Sequence, residues 1–432
     1  MQGEPENYPA YKRRLGRILF SFVLFLLSFL ACMAVAEGMG LSRQWVGAAF
    51  LIASIVLYTG IGVYCRTTDA QEYYVAGRRV PAVYNGMATA ADWMSAASFI
   101  SLAGGLYLQG FGGTETQPGG LGYVLGWTGG FCLVALLVAP YLRRCEIYTV
   151  PDYFALRYTS PWPRRIAALA AVLVSFTYVV AQIYGVGLIT TRLTGVRFEI
   201  GILLGLSGVL VCSFLGGMRA VTWTQVAQYI IILLAFLVPV SWLAYKQLGN
   251  PLAPLVFGQQ IQKITIREQQ ILENPAEQEV LRMYLEQAKE FELKLADVPS
   301  ALARERAVAN ENLRKLKQDH ADTVAVFQAG RELANIPKDV PAARERWTRA
   351  MQDRLERAKP LGGMPRMAQA FSGDPEGDAK EQAAFSTSRR NVLALMFCLM
   401  LGTVGLPHLL TRFYTTTTVA ESRSSVAWSL FF

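Results

Sequence analysis

The chain has 432 residues, 53% of them hydrophobic and 17% charged, where an ordinary soluble domain carries about a quarter charged. Its formal net charge of +9 does not indicate a nucleic-acid partner, because outside one polar stretch the Lys and Arg sit in short loops between apolar runs. Cys32, Cys65, Cys132, Cys145, Cys212 and Cys398 lie singly without metal-ligand spacing, and with only His320 and His408 beside them no zinc or other metal site is expected.

A bilayer core about 30 Å thick needs around 20 apolar residues of helix. Residues 17–36, 44–64, 82–108, 121–142, 166–191, 199–215, 222–246 and 391–410 qualify. A ninth run begins at Ser425 and is cut off at Phe432, so the sequence reads as C-terminally truncated. The first run is open to two readings. Lys12, Arg13 and Arg14 precede it and Ala34-Val35-Ala36 closes it, as in a signal peptide, but its length favours a retained helix. With the N-terminus inside, the inner side holds fifteen Lys and Arg, among them Arg78, Arg143, Arg219 and Arg412. The outer short loops hold six: Arg43, Arg192, Arg197, Lys246, Arg389 and Arg390. That bias obeys the positive-inside rule. It predicts a multi-pass protein of the plasma (inner) membrane with a cytoplasmic N-terminus, unless the first helix is cleaved.

Within the third run, Asn85 to Phe99 is crowded with Gly, Ala, Ser and Thr where Leu and Ile would be expected, and Asp92 sits near its middle. A carboxylate at bilayer depth costs roughly 2.5–3.5 kcal/mol on insertion scales, so it faces a cavity or a partner. Small hydroxyl residues let helices approach closely and satisfy carbonyls where a helix unwinds. Bare carbonyls suit a hard cation such as sodium. The N-terminus of an outer half-helix at 95–98 would suit a carboxylate. The alternative is that the small residues serve packing alone, with Asp92 hydrogen-bonded to a neighbouring helix.

Residues 259–390 hold most of the acidic side chains and read as a helical module outside the membrane, on the non-cytoplasmic side. Asn274, Pro275 and Glu277 fit an N-cap set. Val280, Tyr284, Ala288, Phe291 and Leu295 follow at helical spacing. A second helix opened by Pro299-Ser300 would carry Leu313, Leu316, His320, Val324 and Phe327 on one face, and a third Ala343, Trp347, Met351 and Leu355. A hairpin or three-helix cluster is expected, with His320 packed on the apolar face.

Several stretches resemble one family. Glu72-Tyr73-Tyr74-Val75-Ala76-Gly77-Arg78 resembles the entry to the first core helix of sodium/solute symporters. The run from Ala91-Asp92-Trp93-Met94 to Ser98-Phe99 looks like the corresponding stretch of cation/acetate permeases. Tyr148 to Tyr153, Phe214 to Met218 with Trp223, and Leu401 to His408 followed by Arg412 to Thr415 are similar to later family signatures. The resemblance implies an all-α, LeuT-like inverted-repeat transporter, incomplete here, with about eight transmembrane helices and the start of a ninth. N-terminal helices would occupy 1–66, the first five-helix repeat 67–248, the insertion 249–388, and the start of the second repeat 389–432.

The resemblance also implies cation (sodium)-coupled symport of a small monocarboxylate such as acetate, with no enzyme activity and no cofactor beyond sodium as the coupling ion. Ala91 and Met94 match the family's carbonyl donors to sodium, while Asp92 lies one residue before the family's acidic or amide position, here Trp93. Asp92 and Ser95 complete the expected cation set; Ser95, Ser98 and Thr403 are the expected substrate contacts. Gln225 replaces an Asp of many relatives, which excludes a carboxylate step there. The eighth core helix, half of the family's cation shell, is missing from the chain. Pro407 should interrupt the sixth core helix, with His408 as a packing residue. Expected partners are sodium, the carboxylate and the lipid bilayer. The alternatives are a membrane sensor built on a symporter-like domain, which would show a signalling domain downstream, and a transport-inactive fragment.

Overall fold

The structure is a computed structural model and describes residues 8–114, 117–319 and 322–432. Those residues are helical nearly throughout, and they form two compact units. One comprises the chain up to Val256 together with Ala370–Phe432; the other is Phe257–Gln369.

In the first unit, α1 (Tyr8–Gly38) and α2 (Arg43–Tyr64) lead to the short α3 (Ala70–Val75), capped by the Asp69 carboxylate on the Glu72 amide at 2.8 Å. Next come α4 (Ala82–Trp93), a π-helical turn (Ala97–Leu102) and α5 (Ala103–Gln109). Helix α6 (Gly120–Leu133) continues through a π-turn into α7 (Ala139–Arg144). Then follow α8 (Val150–Arg157), α9 (Trp162–Thr194) and α10 (Phe198–Leu248).

Five of the helices among the described residues are long and apolar enough to cross a membrane, or six if one pair bent by 49° counts as one span. Apolar side chains on α1 and α9 point outward: Phe20, Phe25, Leu173 and Phe176 are more than half exposed. Such faces would be a liability in water and are what a lipid-facing helix presents.

The expectation of eight spans differs from this count for two physical reasons. Residues 82–108 are broken into three pieces, each too short to cross alone. Residues 199–215 and 222–246 belong to one 51-residue element without an intervening loop, divided at Gly217 by a non-helical backbone (φ 50°, ψ −140°). A Cβ at Gly217 would stand 2.5 Å from the Tyr73 carbonyl oxygen, so glycine is needed for both the dihedral and the approach. Around this break Thr67 donates to the Leu215 carbonyl at 3.1 Å and Arg219 pairs with Glu72.

Close helix seams follow small residues. Gly122, Gly126 and Gly130 line one stripe of α6, and α16 (Ala379–Val404) lays Leu395, Leu399 and Thr403 against them. This helix starts well before residue 391, where the apolar run begins. Beyond a break at Gly405 and Leu406 lie α17 (Pro407–Leu410), a 3-10 turn (Thr411–Tyr414) and α18 (Val419–Phe431). Helix α18 crosses α4 where Gly86 faces the Trp428 side chain. Their contact is polar as well: Asn85 donates to Ser425 at 3.1 Å, and the Glu421 carboxylate accepts the Ala82 amide at 2.9 Å at the start of α4.

The second unit holds most of α11 (Ala253–Leu272), with α12 (Pro275–Ala296), α13 (Val298–Gln318), α14 (Thr323–Asn335) and α15 (Val340–Arg357). Asn274 caps α12 and Pro275 opens it. Val298, Leu302, Ala343 and Trp347 form its core, with Phe291 and Leu295 packed alongside. The expected second helix is corrected: α13 ends at Gln318, α14 is a separate helix, and Val324 and Phe327 are exposed. Asp319 and Asp322 bracket the interruption and favour caps and turns over helix interiors. His320 lies outside the described residues.

Candidate functional site

Helix α4 stops at Trp93 because Met94 leaves the helical region at ψ 67°. The amide of Ser95, which in a continuous helix would donate to the Ala91 carbonyl, donates to Trp93 at 2.8 Å instead. The amide of Ser98, which would donate to Met94, donates to Ser95 at 3.1 Å. The break thus withdraws the helical donors from two carbonyls three residues apart, Ala91 and Met94. Ser98 is buried and its hydroxyl donates to the Trp93 carbonyl, which helps to satisfy the turn. The Tyr178 ring of α9 stacks on His408 with centroids 4.7 Å apart.

Asp92 has a partner the sequence reading did not assign. Arg412 donates from Nε to one carboxylate oxygen at 2.8 Å and from Nη2 to the other at 3.2 Å. The two side chains are only 4% and 9% exposed (Arg412 and Asp92), so this is a buried, two-pronged ion pair. Gln225 of α10 spans it, donating its amide to Asp92 while its oxygen accepts from Arg412. Thr222, one turn earlier, accepts the remaining guanidinium arm at 3.2 Å. The polar hydrogens and lone pairs that face inward are therefore matched, which a buried ion pair requires.

This corrects the counting of Arg412 among inner-loop charges: it is 3% exposed as a residue and lies in the interior. Arg143 is likewise buried, holding the Thr416 and Thr417 carbonyls at 2.8 Å each. The signal for Arg412 was present in the chain. It follows Pro407 within a run ending in Phe-Tyr-Thr-Thr, and Asp92 was a membrane carboxylate still lacking a countercharge. Gln225, read only as the absence of an Asp, is the bridge between them.

The structure brings Ala91, Asp92, Met94, Ser95 and Ser98 together at one break. Asp92 does not enter as a free carboxylate, since its charge is already matched. Thr403 is placed differently: it is buried in the seam of α6 and α16, against Gly130, with its hydroxyl donating to Leu399 at 2.7 Å.

A sequence-profile comparison matches residues 73–298, just over half of the chain, to the sodium:solute symporter family. The chain belongs to that family. Among symporter relatives, an uncharacterized symporter of Cupriavidus necator is 47% identical over 99% of this chain and 61% of its own length. The uncharacterized symporter YwcA of Bacillus subtilis is 33% identical over 47% of this chain and 38% of its own. The chain therefore spans about three-fifths of the length of the first of these symporters. A solved outward-open, substrate-bound structure of a Na+-coupled sialic acid symporter aligns with TM-score 0.42 and 16% identity, covering 89% of this chain and 70% of that one.

Proposed function

We propose that this chain forms part of a sodium-coupled symporter for a small monocarboxylate such as acetate, built on a LeuT-like inverted repeat in the plasma membrane. The observation that carries the reading is the break after Trp93, which withdraws helical donors from the carbonyls of Ala91 and Met94 within the apolar run 82–108. Irregular backbone at that depth is tolerated where it lines a cavity or a site, and interrupted helices mark binding sites in inverted-repeat transporters. Carbonyl oxygens suit sodium. Ala91 and Met94 supply them, with Ser95 and the Asp92 side chain adjacent; Ser95 and Ser98, at the start of the outer segment, contact the carboxylate. Thr403, expected as a third substrate contact, lies in the α6–α16 seam with its hydroxyl on the Leu399 carbonyl.

One sodium with one monocarboxylate moves no net charge, so the sodium gradient alone would drive uptake. A second cation would add about 2.3 kcal/mol per 100 mV, roughly fiftyfold in concentration. The test is uptake of labelled acetate by cells expressing the full-length protein, with sodium and with choline in its place. Uptake that rises with sodium supports the reading, and uptake indifferent to sodium refutes it.

A further inference from the structure

We propose that the Asp92–Arg412 ion pair is an exchangeable lock, in which Arg412 receives the substrate carboxylate while Asp92 is released to the cation beside it. This rests on the symport reading, because it takes a cation and a carboxylate as the two ligands. Four observations carry it. The pair joins the last turn of α4, just before the break at Met94, to the 3-10 turn that follows α17, so separating its members need not unfold a long helix. The guanidinium already holds a carboxylate by two prongs, the geometry a free monocarboxylate would reproduce. Arg412 keeps two further acceptors on α10, the Thr222 hydroxyl and the Gln225 carbonyl, which hold it in place when Asp92 leaves. Asp92 stands in the chain between Ala91 and Met94, the residues whose carbonyls lose their helical donors, so a released carboxylate meets a cation held there.

Charge balance makes the lock selective. At rest the pair is neutral. Sodium alone would draw Asp92 off and leave Arg412 unmatched in the interior; a carboxylate alone would leave Asp92 unmatched. Both ligands together form two neutral pairs, so each strengthens the other by the same factor, as linkage requires. Arg143 has no such role, being held by backbone carbonyls, and Arg219 pairs with Glu72 at the more exposed Gly217 break.

The experiment measures carboxylate binding to full-length protein in sodium chloride and in choline chloride, using acetate, propionate, pyruvate and glycolate, with acetamide as the uncharged analogue of acetate. Sodium should tighten binding of the preferred acid by about tenfold or more, within the usual range of coupling between sites, and leave acetamide unaffected. In the Asp92→Asn/Arg412→Gln double variant, which stays neutral and hydrogen-bonded, the sodium effect should fall to a ratio near one. Arg412→Lys keeps the charge but loses the fork, and should weaken acid binding by about tenfold. A double variant that retains the wild-type ratio overturns the lock. Should that variant not fold, an equal sodium effect on acetamide, or unchanged acid affinity in Arg412→Lys, overturns it instead. Wild-type protein whose binding of every acid ignores sodium overturns the symport reading as well.

Discussion

Removing one member of the buried ion pair should destabilise the protein far more than removing both. In Arg412→Leu, Asp92 keeps only the Gln225 amide and loses two charged donors, at 2.8 and 3.2 Å. Two unit charges about 4 Å apart attract by about 4 kcal/mol at an effective dielectric near 20. Breaking a buried pair by deleting one partner costs about 3–5 kcal/mol, because the other charge stays desolvated. The lost bond to Thr222 adds about 1 kcal/mol. The Asp92→Leu/Arg412→Leu double variant leaves no charge behind and should lie within about 1–2 kcal/mol of wild type. At roughly 2 °C per kcal/mol for a unit of this size, Asp92→Leu should melt about 6–10 °C lower, Arg412→Leu about 8–12 °C lower, and the double variant at least halfway back to wild type. The assay is the midpoint of thermal loss of the monodisperse peak in detergent, compared at one heating rate because such midpoints depend on it when unfolding is irreversible. Single-variant losses that simply add in the double variant would show that the two side chains do not form the pair described, and the reasoning about the site would go with it.

Gly217→Ala places a Cβ 2.5 Å from the Tyr73 carbonyl at φ 50°, and should lower stability by at least about 1–3 kcal/mol in the same melting assay; Gly104→Ala, with nothing within 4 Å, is the control and should be neutral or stabilising. Trp347→Ala, in the core of Phe257–Gln369, should cost about 3–5 kcal/mol and raise hydrogen exchange in α12, α13 and α15. The Asp297 carboxyl caps α13 and is held below its ordinary 3.8, first by the Ser300 side chain and then by the Ser300 amide. A lowered carboxyl contributes stability above its ordinary value and loses it as pH falls through the lowered one. The deficit of Asp297→Ala relative to wild type should therefore be constant near neutrality and shrink below about pH 4. A deficit that persists into strong acid would contradict the cap.

The membrane-type helices were legible because length and hydropathy act locally: an apolar run of 20 residues has few other uses. The interruption after Trp93 lies where Ala, Ser and Thr crowd the span, since residues that pack poorly against lipid mark backbone that turns inward. The partner of Asp92 was not legible in the same way. It lies 320 residues away, and an Arg closing an apolar run looks like a topology charge until the fold shows which way it faces. Positive-inside counting treats every such residue as a loop residue, so it is blind to charges folded inward. The helical module failed at one point for a related reason. A repeat of apolar residues ran through Asp319 and Asp322, and counting every third or fourth position overrode their preference for helix ends. At Gly217 two spans meet without a loop because one glycine dihedral turns the chain in place, which no hydropathy window registers.

The position of the ion pair follows from where the helices break. Asp92 comes two residues before the break at Met94; Thr222 and Gln225 come five and eight residues after the break at Gly217; Arg412 comes five after Pro407. Three interruptions of different kinds, a turn, a positive-φ glycine and a proline, thus feed one polar cluster. Lipid explains why they converge. A broken helix exposes backbone groups that hydrocarbon cannot satisfy, so each break must face protein or a polar cavity. Breaks that face one another share that interior, and the charges they carry meet there already desolvated. An ion pair in such a place stabilises little by comparison with apolar side chains of the same volume. In the proposed lock, what such a neutral, two-pronged pair contributes is the pair of ligands it can be exchanged for rather than stability.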